Sequence, residues 1–115
     1  MNLALVYKIT PRDEWAAATQ RGLYEGAPVD LRDGFIHFST AGQVEETAAR
    51  HFAGQTNLLL VAFDETDLGE KLVFEPSRGG ALFPHLYAPL NPALARSVHP
   101  LPLRDGAHDF SGLLP

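Results

Sequence analysis

The sequence predicts a compact α+β domain in which two main helices pack on a strongly bent, largely antiparallel sheet. Three observations carry this expectation. Apolar alternation of strand period recurs along the chain, the two stretches of helical period are short with marked ends, and 115 residues hold material for one core only. One α+β unit over residues 1–106 is expected, followed by a C-terminal tail at 107–115.

Leu3, Leu5, Tyr7 and Ile9 alternate with Ala4, Val6 and Lys8, the period of a strand with one face well buried. Thr10 is a capping residue type and Pro11 needs no amide hydrogen, so a helix is expected over Pro11–Arg21, stopped by Gly22. Trp15, Ala18 and Thr19 would face inward. Leu23–Asp33 carries Gly26, Pro28 and the Asp33-Gly34 turn signal, and reads as an irregular loop. Phe35–Ser39 is apolar on both faces around one histidine and reads as a strand that runs into a second helix. Thr40 and Gln43 have capping-box spacing, Val44, Ala48 and Phe52 form an inner face, Glu46 and Arg50 pair outside, and Gly54 ends the helix. Leu58–Asp64 is continuously apolar up to its last residue, as a central strand is. Leu72–Glu75 is a shorter strand, and Ser77–Gly80 a turn. His85–Leu90 and Ser97–Leu101 are the final strands, which Pro92, Pro100 and Pro102 place at an edge.

Composition excludes several classes of function. The chain has no cysteine, which rules out disulfides, thiolate metal sites and thiol nucleophiles. The longest apolar run, Leu58–Phe63, is far below the ~20 residues of a membrane span. Met1–Lys8 lacks the basic start of a signal peptide, so a cytoplasmic protein is expected. Fourteen acids against nine bases give a formal charge of −5 with no basic cluster, and non-specific nucleic-acid binding is not expected. Seven of the nine bases are Arg, the side chain suited to a carboxylate or phosphate fork, so a local basic pocket remains open.

Two segments carry more unusual residues than folding needs, Asp33–Thr40 (DGFIHFST) and Glu75–Tyr87 (EPSRGGALFPHLY). Strand parity puts His37 on the face of Phe35 and Ser39, either as a core histidine or beside a helix start where an anion is favoured. Ser77, Arg78, Gly79 and Gly80 combine a hydroxyl, a guanidinium and two residues that let backbone amides approach a phosphate; the same residues also make an ordinary turn. Glu75 is an ion-pair partner for Arg78 or a catalytic carboxylate, and His85 with Tyr87 forms an aromatic wall or a core corner. No histidine pair has metal-site spacing, and no metal is expected. His51, His99 and His108 read as a helix-end residue and two surface residues.

Together VYKIT, DGFIHFST and FEPSRGGALFPHLYAPL resemble the small bacterial family known as domain of unknown function 952, over about Leu5–Leu90. That resemblance implies an ADP-ribosyltransferase-like fold and NAD as cofactor. In the poly-ADP-ribose polymerase and diphtheria-toxin branch a strand ends in His-Gly-Ser/Thr and enters a helix, and His37-Phe38-Ser39 stands in the similar place. By resemblance His37 would bond the adenosine ribose, the Phe38 backbone would hold the nicotinamide amide, and Ser39 would support the strand end. Phe38 stands where that branch has glycine, and the late-strand glutamate has no direct counterpart; His85 lies in roughly that region and Glu75 is the nearest acid. The implied activity is an NAD-dependent ADP-ribosyl transferase or hydrolase. In it Ser77, Arg78, Gly79 and Gly80 would take a phosphate, Tyr87 would stack on a ring, and His85 or Glu75 would act on the ribose. The alternative is a non-catalytic module for a nucleotide-like or anionic metabolite, or for a protein partner. The acceptor is not specified by either.

Overall fold

The computed structural model describes residues 4–115, apart from the side chain of Arg78. Leu3 of the first predicted strand and the Arg78 guanidinium therefore lie outside the described residues. The chain is an α+β fold of antiparallel sheets. In order it forms β1 (Leu5–Pro11), α1 (Arg12–Arg21), α2 (Pro28–Asp33), β2 (Ile36–His37), β3 (Ser39–Thr40), α3 (Val44–His51) and β4 (Leu58–Asp64). Then follow α4 (Glu65–Leu68), β5 (Leu72–Pro76), β6 (Leu82–Leu86), β7 (Ser97–Leu101), β8 (Leu103–Arg104) and β9 (Ala107–His108).

Instead of one bent sheet there are two main ones. The first has the order β3-β1-β4-β7 and the second β2-β6-β5, with β8-β9 as a separate small hairpin. β4 is central, as its apolar run predicts, and every residue of it is buried. Its alternation feeds two cores. Leu59, Val61 and Phe63 face α1 and the second sheet; Leu58, Leu60 and Ala62 face α3 and the C-terminal segment. β7 lies at an edge, but β6 is the middle strand of its sheet, contrary to the edge position expected for the last pair. Pro84 stands opposite Phe74 of β5 and one residue beyond the end of the β2 pairing, where its carbonyl accepts from the Phe38 amide.

Local chemistry explains the helices. β1 runs through Pro11 and α1 begins one residue later, with Gly22 closing it at φ 76. Trp15 and Ala18 are buried, whereas Thr19 is exposed and its hydroxyl donates to the Ala16 carbonyl at 2.8 Å. The loop expected over Leu23–Asp33 contains α2: Pro28 starts it, and the Asp30 carboxylate accepts from the Ala27 amide at 2.8 Å. Thr40 belongs to β3 and α3 starts only at Val44, so the expected capping box is not a helix cap; Gln43 Oε1 accepts from the Thr40 amide at 3.0 Å in the turn before the helix. The Arg50 guanidinium donates to Glu46 at 2.8 Å on the outer face of α3. The segment expected as a tail is packed, with Phe110 in the second core beside Leu113 and Leu114. Among the described residues no helix is long and apolar enough to cross a membrane.

Candidate functional site

The chain changes sheets at Phe38. Ile36 and His37 pair with Leu86 and His85, and two residues later Ser39 and Thr40 pair with Tyr7 and Val6. Phe38 sits between, its amide donating to the Pro84 carbonyl at 2.9 Å and its ring buried edge-on against Phe63 at 5.8 Å. Where the two sheets part they leave a cleft of about 770 Å³ whose wall includes Lys8, Asp33, His37, Ser39, Ser77 and His85.

His37 is held at both ring nitrogens. Nδ1 lies 2.6 Å from Asp30 Oδ1 and Nε2 lies 3.0 Å from Asp33 Oδ2. The two carboxylates are unlike. The Asp30 side chain is fully buried and accepts from Lys8 Nζ at 2.9 and 3.2 Å, from the His37 amide at 3.1 Å and from the Ala27 amide. Burial pushes the Asp30 pKa up, but bonds from His37 and Lys8 outweigh it and bring it down to about 2. Burial lowers the Lys8 pKa against the pull of Asp30, so Lys8 is the less firmly charged partner. Its amino group has three acceptor contacts, two on Asp30 and one on the His37 carbonyl at 3.0 Å, which offset the loss of water. Asp33 is partly exposed, and its pKa is lowered by the Arg32 guanidinium first and by His37 after it.

His85 is buried directly opposite His37, with ring centroids 5.6 Å apart. Its Nδ1 lies 2.8 Å from Glu75 Oε1, and the Tyr87 hydroxyl donates to the same oxygen at 2.7 Å. These two bonds, the Tyr87 one foremost, lower the Glu75 pKa, while Glu75 raises that of Tyr87. Phe35 stacks on His85 at 4.0 Å and also touches His37 and Tyr87. His85 Nε2 has no hydrogen bond from the described residues.

Of the residues singled out in the sequence, His37, Phe38, Ser39, Ser77 and His85 line this one cleft. Glu75 and Tyr87 stand behind His85 and reach the cleft through it. Gly79 borders a separate hollow with Gly42 and Gln43, and the Gly80 amide donates within its turn to the Ser77 carbonyl at 2.8 Å. Sequence reasoning missed Lys8, Asp30 and Asp33. A signal existed for the first two: each is a lone charge between apolar neighbours, in VYKIT and PVDLR, which asks for a buried partner. Among the described residues no three His, Asp or Glu side chains are grouped as a metal site.

Residues 9–98 match the family model described as Protein of unknown function (DUF952). The chain belongs to that family. Like this DUF952 chain in fold is protein CC0527 from Caulobacter crescentus, whose crystal structure superposes with a TM-score of 0.89 at 50% identity over 93% of this chain and 95% of that one. The solution NMR structure of CC0527 gives 0.86 at 50% identity over 96% of each chain. No curated protein matches this DUF952 chain.

Proposed function

We propose that the cleft takes a nucleotide-like ligand of the NAD type and that this DUF952 protein acts on it as an ADP-ribosyl transferase or hydrolase. One observation supports the reading most. The two imidazoles lie opposite one another on paired strands beside the cleft, His85 with a carboxylate at one ring nitrogen and His37 with one at each. An imidazole so fixed presents a defined nitrogen to a reacting proton. His85, with Nδ1 turned to Glu75, offers Nε2 to the proton of an attacking hydroxyl or water. As that oxygen bonds to the ribose C1′, the nicotinamide–ribose bond breaks and its electron pair leaves with the nicotinamide. Glu75 and Tyr87 are positioning residues for His85, in place of the stacking role expected for Tyr87. Ser39 borders the ribose and His37 lies where the ribose meets its phosphate, next to the place that the resemblance to the ADP-ribosyltransferase-like folds implies.

Calorimetric titration with NAD and ADP-ribose, coupled to a nicotinamide-release assay, tests the proposal. Wild type is expected to bind both, His37→Ala to bind about tenfold more weakly for one lost charged hydrogen bond, and His85→Gln to bind without releasing nicotinamide. Absence of binding up to millimolar ligand overturns it. A second reading, binding without turnover, is favoured by the Phe38 amide, which is already engaged by Pro84, and by Glu75, which faces His85. Nicotinamide release by wild type decides between the two.

A further inference from the structure

Asp33 bridges two donors that a ligand would find useful. Its Oδ1 lies 3.1 Å from Arg32 Nε and its Oδ2 lies 3.0 Å from His37 Nε2, and all three residues line the cleft. A carboxylate held between a guanidinium and an imidazole nitrogen, which donates when the ring is protonated, is an arrangement in which proteins hold an oxyanion. Here the oxyanion is supplied by the chain itself. The Asp33 side chain is 32% exposed and Arg32 73%, whereas Asp30, on the other side of His37, is wholly buried. Exposed ion pairs contribute little, so exchanging Asp33 for another anion costs little, while the buried Asp30 keeps the ring in place. Asp33 also ends α2, followed by Gly34 at φ 87 with open space around it, and among the described residues its carboxylate has no hydrogen bond or ion pair beyond Arg32 and His37.

We infer that Arg32 and His37 Nε2 form a phosphate-binding subsite of the cleft, in which the Asp33 carboxylate is a displaceable internal occupant. This rests on reading the cleft as the site of a nucleotide-like ligand and names the part of that ligand which the residues recognise. Against a molecular charge of −5, a local pair of donors is what captures a small anion. Asp33 then sets the threshold: a weak anion is refused, and one offering two oxygens with greater charge replaces it.

The test is a titration of the full chain, with ¹⁵N-labelled histidine, by inorganic phosphate and separately by ADP-ribose. In wild type, phosphate is expected to move the His37 Nε2 signal. Asp33→Ala is expected to bind phosphate about tenfold more tightly and Arg32→Gln about tenfold more weakly, each near 1.4 kcal/mol by the affinity relation. Asp33→Asn, which keeps the shape and removes the charge, should shift affinity in the same direction as Asp33→Ala. The inference is overturned if both Asp33 variants bind phosphate no more tightly than wild type, or if phosphate leaves the His37 Nε2 signal unmoved. Phosphate binding with this pattern but no response to ADP-ribose upholds the subsite and removes the nucleotide reading. ADP-ribose binding that ignores Arg32 and Asp33 does the reverse.

Discussion

His37 has a carboxylate oxygen at each ring nitrogen, and the two carboxylates do different work. Asp33 stands in solvent reach, while Asp30 has lost its water entirely and replaced it with bonds from Lys8, His37 and Ala27. A buried ion pair adds little net stability over an apolar pair of the same shape, but removing one partner leaves the other charge buried alone. Asp30→Asn is therefore expected to cost about 3–5 kcal/mol in urea unfolding, because Lys8 stays buried without its counter-charge. Acid provides a second check. The Asp30 pKa is depressed from 3.8 to about 2 on folding, so its contribution is fully present above 3.8 and is lost as pH falls through about 2. That contribution is about 2 kcal/mol by linkage, and the corresponding drop in unfolding free energy should be missing in Asp30→Asn. His37 and His85 stood out in the sequence because each is a polar residue among aromatics. Lys8 reads only as part of a strand alternation, since periodicity assigns a face and says nothing of a charge on a later helix that will meet it.

The decisive element is α2, a six-residue helix that carries both carboxylates to His37. The sequence reads as loop there because Gly26, Pro28 and Asp33-Gly34 are turn formers, and six residues are too few for helical period to emerge. Its N-terminal bond runs backward from Asp30 to Ala27, a pattern legible only once the position of Pro28 as first helical residue is known. Gly26 fixes how close this element lies to the chain before it. At φ 124 a Cβ there would come within 2.7 Å of the Asp30 Cβ, whereas a Cβ at Gly34, φ 87, meets nothing within 4 Å. Gly26→Ala is thus expected to lower the thermal midpoint clearly more than Gly34→Ala, whose cost is about 1 kcal/mol of left-handed backbone strain alone. Equal midpoints for the two variants would contradict this account. The split of Phe35–Ser39 between two sheets belongs to the same scale. Apolar residues on both faces predicted a strand, and they equally suit a segment that turns one end into each of two sheets.

For the molecule as a whole, one central strand serves two cores, and the C-terminal segment closes the second. Phe110 packs there with residues of α3, β4 and β7. Phe110→Ala should cost about 3 kcal/mol, a buried aromatic truncated to leave a cavity. In a domain of this size that lowers the melting temperature by roughly 10–20 °C. An unchanged melting curve would return residues 107–115 to the status of a loose tail. The same two-sheet construction makes the cleft: wherever β2 and β3 diverge, their neighbours β6 and β1 cannot both follow, and the gap is walled by the side chains nearest the split.

The positions of β1, α1, α3 and β4, the central place of Leu58–Asp64 and the lack of thiol chemistry were determined by the sequence alone, because period, helix ends and residue chemistry are local. That His37 lies opposite His85, 48 positions later, was decided by antiparallel register, which depends on pairing energies summed over both sheets. The identity of the carboxylates was decided in the same way. Glu75 meets His85 across the strand, and Asp30 meets Lys8, 22 residues away, because the fold brings these groups together. A buried charge finds its partner through the fold, and the distance along the chain carries no record of it.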